Sequence, residues 1–125
     1  MTDRKFVSVD GSVSSPAYSA DYESSRRFDK LNVGSLGVYF REGFRTHLVP
    51  YERMERAFLR IHEVNGKLCC GSTVFQYFRL VFVVGGREFA DVISENEQAC
   101  RDALEAIRAA APAVAIGYEK THEEA

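Results

Sequence analysis

From Leu31 onward, apolar residues recur at every second position in short stretches, and this spacing restricts the folds open to the chain. Side chains two residues apart lie on the same side of a β-strand, so such stretches are strands with one buried face. The sets that share a face are Leu36, Val38 and Phe40; Ala57, Leu59 and Ile61; and Phe78, Leu80, Phe82 and Val84. The residues between them, such as Tyr39 and Arg79, are expected on the opposite face.

Turn-forming residues separate these stretches and indicate how the strands are connected. They are Gly34, Gly37, Gly43, Pro50, Asn65-Gly66 and Gly85-Gly86. Asn65-Gly66 is the most specific signal, because a two-residue type I′ turn needs positive φ at both central positions and Asn-Gly adopts it at low cost. Gly85-Gly86 precedes Arg87 and a strand, which fits a hairpin turn and not a phosphate-binding loop. The sequence therefore predicts consecutive antiparallel hairpins.

The apolar spacing changes from two to three or four after Ser94. Residues 94–97, Ser-Glu-Asn-Glu, have the form of a capping box in which Ser94 and Glu97 satisfy each other's backbone N–H groups. The apolar stripe that follows consists of Ala99, Cys100, Ala103, Leu104, Ile107 and Ala110. Pro112 predicts that the helix ends near Ala110 or Ala111. One amphipathic helix is therefore expected after the strands, packed closely against a curved sheet.

Both ends of the chain differ from its regular centre. Residues 1–29 include seven serines, and after a short strand at Lys5–Val9 they are expected to form an extended or partly ordered arm. Its candidate anchors to the domain are Tyr18, Tyr22 and Phe28. Residues 118–125 read as a charged tail. The predicted division is an arm at 1–29, a domain at 30–117 and a tail at 118–125.

Length and composition indicate one globular domain. A chain of 125 residues with 46% hydrophobic residues can bury a core without disulfides or metals. Its first residues lack a continuous apolar segment of signal-peptide length. The longest apolar runs, Leu80–Val84 and Ala109–Ile116, are far shorter than the ~20 residues that a membrane-spanning helix needs. A soluble protein is expected.

Charge is distributed unevenly along the chain. The formal net charge is −2, yet residues 26–60 hold eight Lys and Arg against four Asp and Glu, whereas residues 94–111 hold two against four. A nucleic-acid-binding domain is normally strongly basic overall, so no nucleic-acid partner is expected. The local excess of positive charge suits a weak attraction for phosphates or anionic surfaces.

Cysteines and histidines form no recognisable chemical motif. Adjacent Cys69 and Cys70 lack the separation of two to four residues that paired zinc ligands have, and Cys100 lies on the helix stripe. An odd number of cysteines fits reduced thiols in the cytoplasm. His47 and His62 stand in no sequence pattern that marks a base for a cysteine nucleophile. No catalytic residue, metal site or cofactor is predicted, and the chain is not expected to be an enzyme.

One local phrase resembles a known family. Residues 36–40, Leu-Gly-Val-Tyr-Phe, are followed by residues 47–55, His-Leu-Val-Pro-Tyr-Glu-Arg-Met-Glu, in which Pro50 and Tyr51 form a corner between strands. This phrase is similar to one in small bacterial proteins with a pleckstrin-homology-like (PH-like) fold. Across residues 31–116 the resemblance implies an α+β fold: a partly open antiparallel β-barrel of about six or seven strands, capped by one C-terminal α-helix.

The resemblance also implies two modes of binding. Some PH-like domains bind phosphoinositides through Lys and Arg on a long loop between their first two strands and on the strands beside it. In this chain the corresponding loop is expected to be short, around Gly34-Ser35, with Lys30, Arg41 and Arg45 in its neighbourhood. Others, of the phosphotyrosine-binding type, add a peptide strand to an exposed sheet edge.

Three functions follow as hypotheses. The leading one is a non-catalytic binding or scaffolding module whose partner is another protein or a second copy of the chain. The first alternative is binding of anionic lipid or a small anion through Arg41, Arg45 and His47. The second alternative is a small-ligand carrier or enzyme with a pocket at the open end of the barrel.

Overall fold

The computed structural model describes residues 4–68 and 71–124 of the chain. Its elements, in chain order, are β1 (Lys5–Ser8), β2 (Gly11–Ser14), α1 (Pro16–Ser24), β3 (Arg26–Phe28), β4 (Leu31–Val33), β5 (Gly37–Glu42), β6 (Arg45–Pro50), β7 (Arg56–Leu68), β8 (Gly71–Val84), β9 (Arg87–Ser94), α2 (Glu97–Ala110) and β10 (Ala115–Glu124). None of the helices in these ranges has the length and apolar character needed to cross a bilayer.

The strands form two separate open sheets, so the expected PH-like barrel is wrong. The first sheet has six strands in the order β2-β1-β6-β5-β4-β3, and the second has four in the order β10-β7-β8-β9. Both sheets are mixed, because β1 pairs in parallel with β6 and β10 pairs in parallel with β7. A purely antiparallel barrel cannot contain either pairing. The barrel prediction failed because alternation identifies strands and their buried faces but not their partners.

The main core lies where the two sheets and α2 meet. Val38 and Phe40 of the first sheet, Leu59 and Leu80 of the second and Leu104 of α2 belong to one buried cluster. The three predicted face sets contribute to this cluster, except that Leu36 precedes β5 and is 43% exposed. The predicted strand faces are therefore largely confirmed.

A smaller core lies on the other face of the first sheet, where α1 packs. Phe6, Tyr39 and Leu48 are fully buried there, with Tyr18 and Tyr22 of α1 packed against them. The Tyr22 ring lies 5.3 Å from Tyr39 and 5.9 Å from Phe6, centroid to centroid. Phe28 joins the main core. The predicted aromatic anchors of the N-terminal segment are thus confirmed.

A buried carboxylate fixes α1 to the loop between β4 and β5. Asp21 is 8% exposed, and its two carboxylate oxygens accept hydrogen bonds from Ser35 N at 2.7 Å, Leu36 N at 3.0 Å and Tyr39 Oη at 2.6 Å. Three donors compensate the cost of removing the charge from water. A Cβ at Gly34 would lie 2.2 Å from Asp21 Oδ2, so this position requires glycine.

The amphipathic helix is confirmed, but its cap is two residues later than predicted. α2 begins at Glu97, and Asn96 is its N-cap, with Oδ1 accepting from Ala99 N at 3.0 Å. Ser94 instead ends β9, where its hydroxyl donates to Asp29 Oδ2 at 2.6 Å and accepts from Asn96 N at 3.0 Å. Ser94 therefore joins the two sheets and does not cap the helix.

The hairpin predictions have opposite outcomes. Gly85 and Gly86 connect β8 to β9 with φ of 63° and 76°, which confirms a turn there. Asn65-Gly66 forms no turn, because the β7–β8 pairing continues through Asn65↔Val74 to Leu68↔Gly71. The predictions that concern Cys69 and Cys70 lie outside the described residues.

A strand follows α2, which corrects the expectation that a helix is the last element. β10 pairs with β7 from Ala115↔Arg56 to Glu124↔Asn65, so residues 115–124 form one edge of the second sheet. The charged and polar residues of this segment suit the exposed edge of a sheet. The same composition is also typical of a solvated tail, which is why the sequence did not reveal the strand. The division of the chain at residues 29 and 117 stays a prediction.

Candidate functional site

A cleft runs between β9 and the first sheet. Its volume is about 630 Å³. One wall is the segment Phe89–Ile93 of β9, and the other includes Lys30, Phe40, Arg41 and His47. We call it the β9 cleft. The cleft lies at the rim of the main core, because Phe40 belongs to that core and its ring stacks at 5.2 Å on the ring of its cross-strand partner His47.

The wall formed by β9 is the edge of a sheet. Among the described strands, β9 pairs with β8 alone. Five consecutive residues, Phe89–Ile93, line the cleft, although successive side chains of a strand point to opposite faces. All five consecutive residues can line one cleft only when the cleft runs along the edge of the strand. The backbone N–H and C=O groups that do not pair with β8 are thereby turned toward the cleft.

A β-bulge shapes this edge at Phe89. The pairing of β8 with β9 passes from Phe82↔Ala90 to Val83↔Glu88, so Phe89 has no partner on β8. Bulges bend an edge strand and redirect a side chain. Phe89 is 41% exposed and Ile93 is 46% exposed, which leaves two large apolar side chains along one short strand. The exposed face of this edge thus presents Phe89 and Ile93 on either side of Asp91, which is paired with Arg79.

Charged side chains stand around the cleft, and some are already paired. His47 Nε2 lies 3.5 Å from Glu42 Oε2, and Arg79 Nε lies 3.1 Å from Asp91 Oδ2. Within residues 4–68 and 71–124, Lys30 and Arg41 take part in no ion pair. Lys30 also lines a neighbouring groove with the carboxylates of Asp29, Glu95 and Glu97. Arg41 is therefore the cation of the cleft that best suits a carboxylate or phosphate.

The structure separates the three predicted binding residues. Arg41 and His47 line the β9 cleft. Arg45 lines a different groove, together with Arg4, Lys5 and Phe44. Sequence reasoning missed the β9 residues, because Phe89 and Ile93 read as ordinary strand residues. Only the strand order reveals that they lie on an edge.

Another basic region of the sequence is engaged in structural contacts. The Arg60 guanidinium donates to both carboxylate oxygens of Glu88, at 3.0 and 2.6 Å, and to Glu119 at 3.1 Å. The hydrogen bonds to Glu88 and Glu119 raise the pKa of Arg60 above its ordinary value. Arg56 and Arg60 both lie over the Phe58 ring, at 4.4 and 5.2 Å. This cluster covers the outer face of the second sheet.

The cysteine that the structure describes is buried in the core. Cys100 lies on α2 at 2% exposure, and burial raises the pKa of its thiol. Residues 4–68 and 71–124 contain no group of three His, Cys, Asp or Glu side chains arranged to hold a metal ion.

Comparison with known proteins gives one result that bears on the whole fold. Searches of curated proteins and of solved structures each return no match. A family model described as "Domain of unknown function (DUF6709)" matches residues 4–125, from the segment before β1 to the last residue. The two sheets and both helices all lie within the matched range, and the chain belongs to the DUF6709 family.

Proposed function

We propose that this chain is a non-catalytic protein-binding module that accepts an extended segment of a partner as an additional strand on β9. The observation that carries the proposal is the β9 cleft, in which five consecutive residues of an edge strand line an open groove. Main-chain hydrogen bonds to an exposed edge supply affinity, and pockets beside the edge supply specificity. A cytoplasmic setting, expected from the cysteine content, is compatible with such a role.

The composition of the cleft indicates what kind of segment it suits. Alternate side chains of an added strand point to the same side, so every second residue would lie beside Phe89 and Ile93, which share the exposed face of β9. Arg41 favours an acidic residue in the same segment. The expected partner sequence is therefore extended, apolar at alternate positions and acidic near one end.

A small-ligand carrier or an enzyme is less well supported by this architecture. That alternative places its pocket at the open end of a barrel, and the two open sheets form no barrel. The β9 cleft has a wall of strand edge, which suits a main chain better than a compact ligand.

The test is selection of peptides on the purified chain from a random-peptide phage library, followed by fluorescence anisotropy of the enriched peptides. Each residue of a bound peptide is then N-methylated in turn. In a paired strand only alternate N–H groups point to the neighbouring strand, so affinity is expected to fall at every second position. Uniform or absent sensitivity to N-methylation would rule out strand addition.

A pair of variants locates the binding site. Ile93→Lys places a charge on the β9 edge and is expected to weaken binding by about tenfold or more. Phe75→Lys is the matched control, because Phe75 is also exposed, at 52%, but lies on β8 outside the cleft. Equal binding by wild type and Ile93→Lys would show that the selected peptides bind elsewhere.

A further inference from the structure

A phenylalanine stands fully in water at the tip of the β5–β6 hairpin. Glu42 pairs with Arg45, so Gly43 and Phe44 form a two-residue turn, with φ of 64° at Gly43. Positive φ at the first central position alone is the pattern of a type II′ turn, where glycine is favoured. Phe44 is 101% exposed, so its ring has no packing role in the fold.

Basic residues surround this ring. The parallel register Phe6↔Thr46 places Lys5 beside Arg45 at the base of the turn. Arg4 is held nearby, with its backbone N–H donating to Ser19 Oγ at 2.9 Å and its guanidinium 4.7 Å from the centre of the Tyr22 ring.

These cations and Phe44 share one groove. Arg4, Lys5, Phe44 and Arg45 line it, and none of its described lining residues carries a carboxylate. Glu42 is the acidic neighbour in the hairpin, and its Oε2 lies 3.5 Å from Nε2 of His47. The groove therefore combines three positive charges with one exposed aromatic side chain. We call it the Phe44 tip.

We infer that the Phe44 tip binds a membrane surface that carries anionic lipid. An exposed aromatic side chain gains free energy by entering the interface between headgroups and acyl chains. Lys and Arg beside it are attracted to the negative surface potential of such a membrane. Neither the insertion of the ring nor the electrostatic attraction is strong alone, and stable attachment to a membrane generally requires two such interactions.

A membrane accounts for both features of the tip. The three cations would be sufficient to bind a free phosphate ion. Phosphate binding would not explain why a fully exposed aromatic ring lies beside them. The tip and the β9 cleft share Val7 but differ in Phe44 and in Phe89–Ile93, so substitution of Phe44 tests this inference separately from the proposed peptide binding.

The test is co-sedimentation of the full chain with vesicles of phosphatidylcholine, alone or with about 30% phosphatidylserine, at low salt. Binding is expected with the anionic vesicles and is expected to fall as salt screens the charges. Phe44→Ala is expected to weaken binding about tenfold through lost apolar burial. Arg45→Glu changes the charge by two and is expected to weaken binding by about 30-fold.

Further measurements determine whether Phe44 and a lipid surface are both required for binding. Phe75→Ala removes an exposed aromatic outside the groove and is expected to bind as wild type does. Absence of binding to anionic vesicles at low salt would overturn the inference, as would equal binding by Phe44→Ala. Displacement by inorganic phosphate, but not by chloride at equal ionic strength, would reassign the groove to a phosphate ion.

Discussion

At the scale of single residues, Asp21 connects the N-terminal segment to the first sheet. Its carboxylate accepts three hydrogen bonds, and Gly34 leaves the space in which it sits. In the sequence, Asp21 looks like one more polar residue of a serine-rich arm. Its role depends on a loop 14 residues away, at Ser35, which no local pattern reveals.

Asp21→Ala is expected to lower the free energy of unfolding by about 3 kcal/mol, because two backbone N–H groups and a buried phenol lose their acceptor. Urea denaturation measures this loss, and exposed Glu23→Ala on the same helix is the control. Gly34→Ala is expected to destabilise the wild type strongly but the Asp21→Ala background much less, since the clash disappears. Additive effects of the two substitutions would contradict this geometry.

Because of Tyr39, the free energy of unfolding is expected to fall as the pH becomes alkaline. Burial, and then its hydrogen bond to Asp21, raise the pKa of Tyr39 far above its ordinary value. Unfolding exposes the phenol, which then ionises near pH 10. The contribution of the neutral, buried phenol to the free energy of unfolding is therefore complete below about pH 10 and is lost as the pH rises above it.

Urea denaturation between about pH 8 and pH 11 tests this expectation. Tyr39→Phe is expected to cost about 1 kcal/mol at the lower pH and to lose stability less steeply above pH 10. Burial also raises the pKa of Tyr51, so part of the dependence remains in this variant. Equal pH dependence in wild type and Tyr39→Phe would contradict the assignment.

At the scale of elements, local patterns predicted what depends on local geometry. The buried faces of β7 and β8 follow from alternation at Leu59 and Leu80, and α2 follows from its apolar stripe. The Asn65-Gly66 turn failed because the long pairing of β7 with β8 overrides a local preference. Arg41 and His47, which were predicted from sequence to bind an anion, line the β9 cleft, but their role in binding stays a prediction; β9 as an edge was not predicted.

The N-terminus of α2 offers a test at this scale. Asn96→Ala is expected to destabilise the chain by about 1 kcal/mol, because Ala99 N loses its acceptor. Exposed Glu95→Ala is the control and is expected to change stability little. Thermal unfolding followed by circular dichroism measures both, and equal melting temperatures for Asn96→Ala and wild type would count against Asn96 as the cap.

At the scale of the whole molecule, the two proposed binding surfaces are neighbours: both include residues of the β5–β6 hairpin of the first sheet, and Val7 lines both. The Phe44 tip belongs to the first sheet, and the edge wall of the β9 cleft belongs to the second. The sheets are joined through the main core and through the hydrogen bond from Ser94 to Asp29. The two proposals therefore share one hairpin but differ in their defining residues, which are Phe44 for the membrane and Phe89 and Ile93 for the protein segment.

The two parallel pairings have a consequence for the order of folding events. Phe6 pairs with Thr46, and Ala115 pairs with Arg56, so each sheet contains strands that are far apart along the chain. Hairpins such as β8–β9 close short loops and form early, whereas these pairings must first close long ones. The refolding rate should therefore be limited by the docking of β1 and β10, even though the hairpins between them form rapidly.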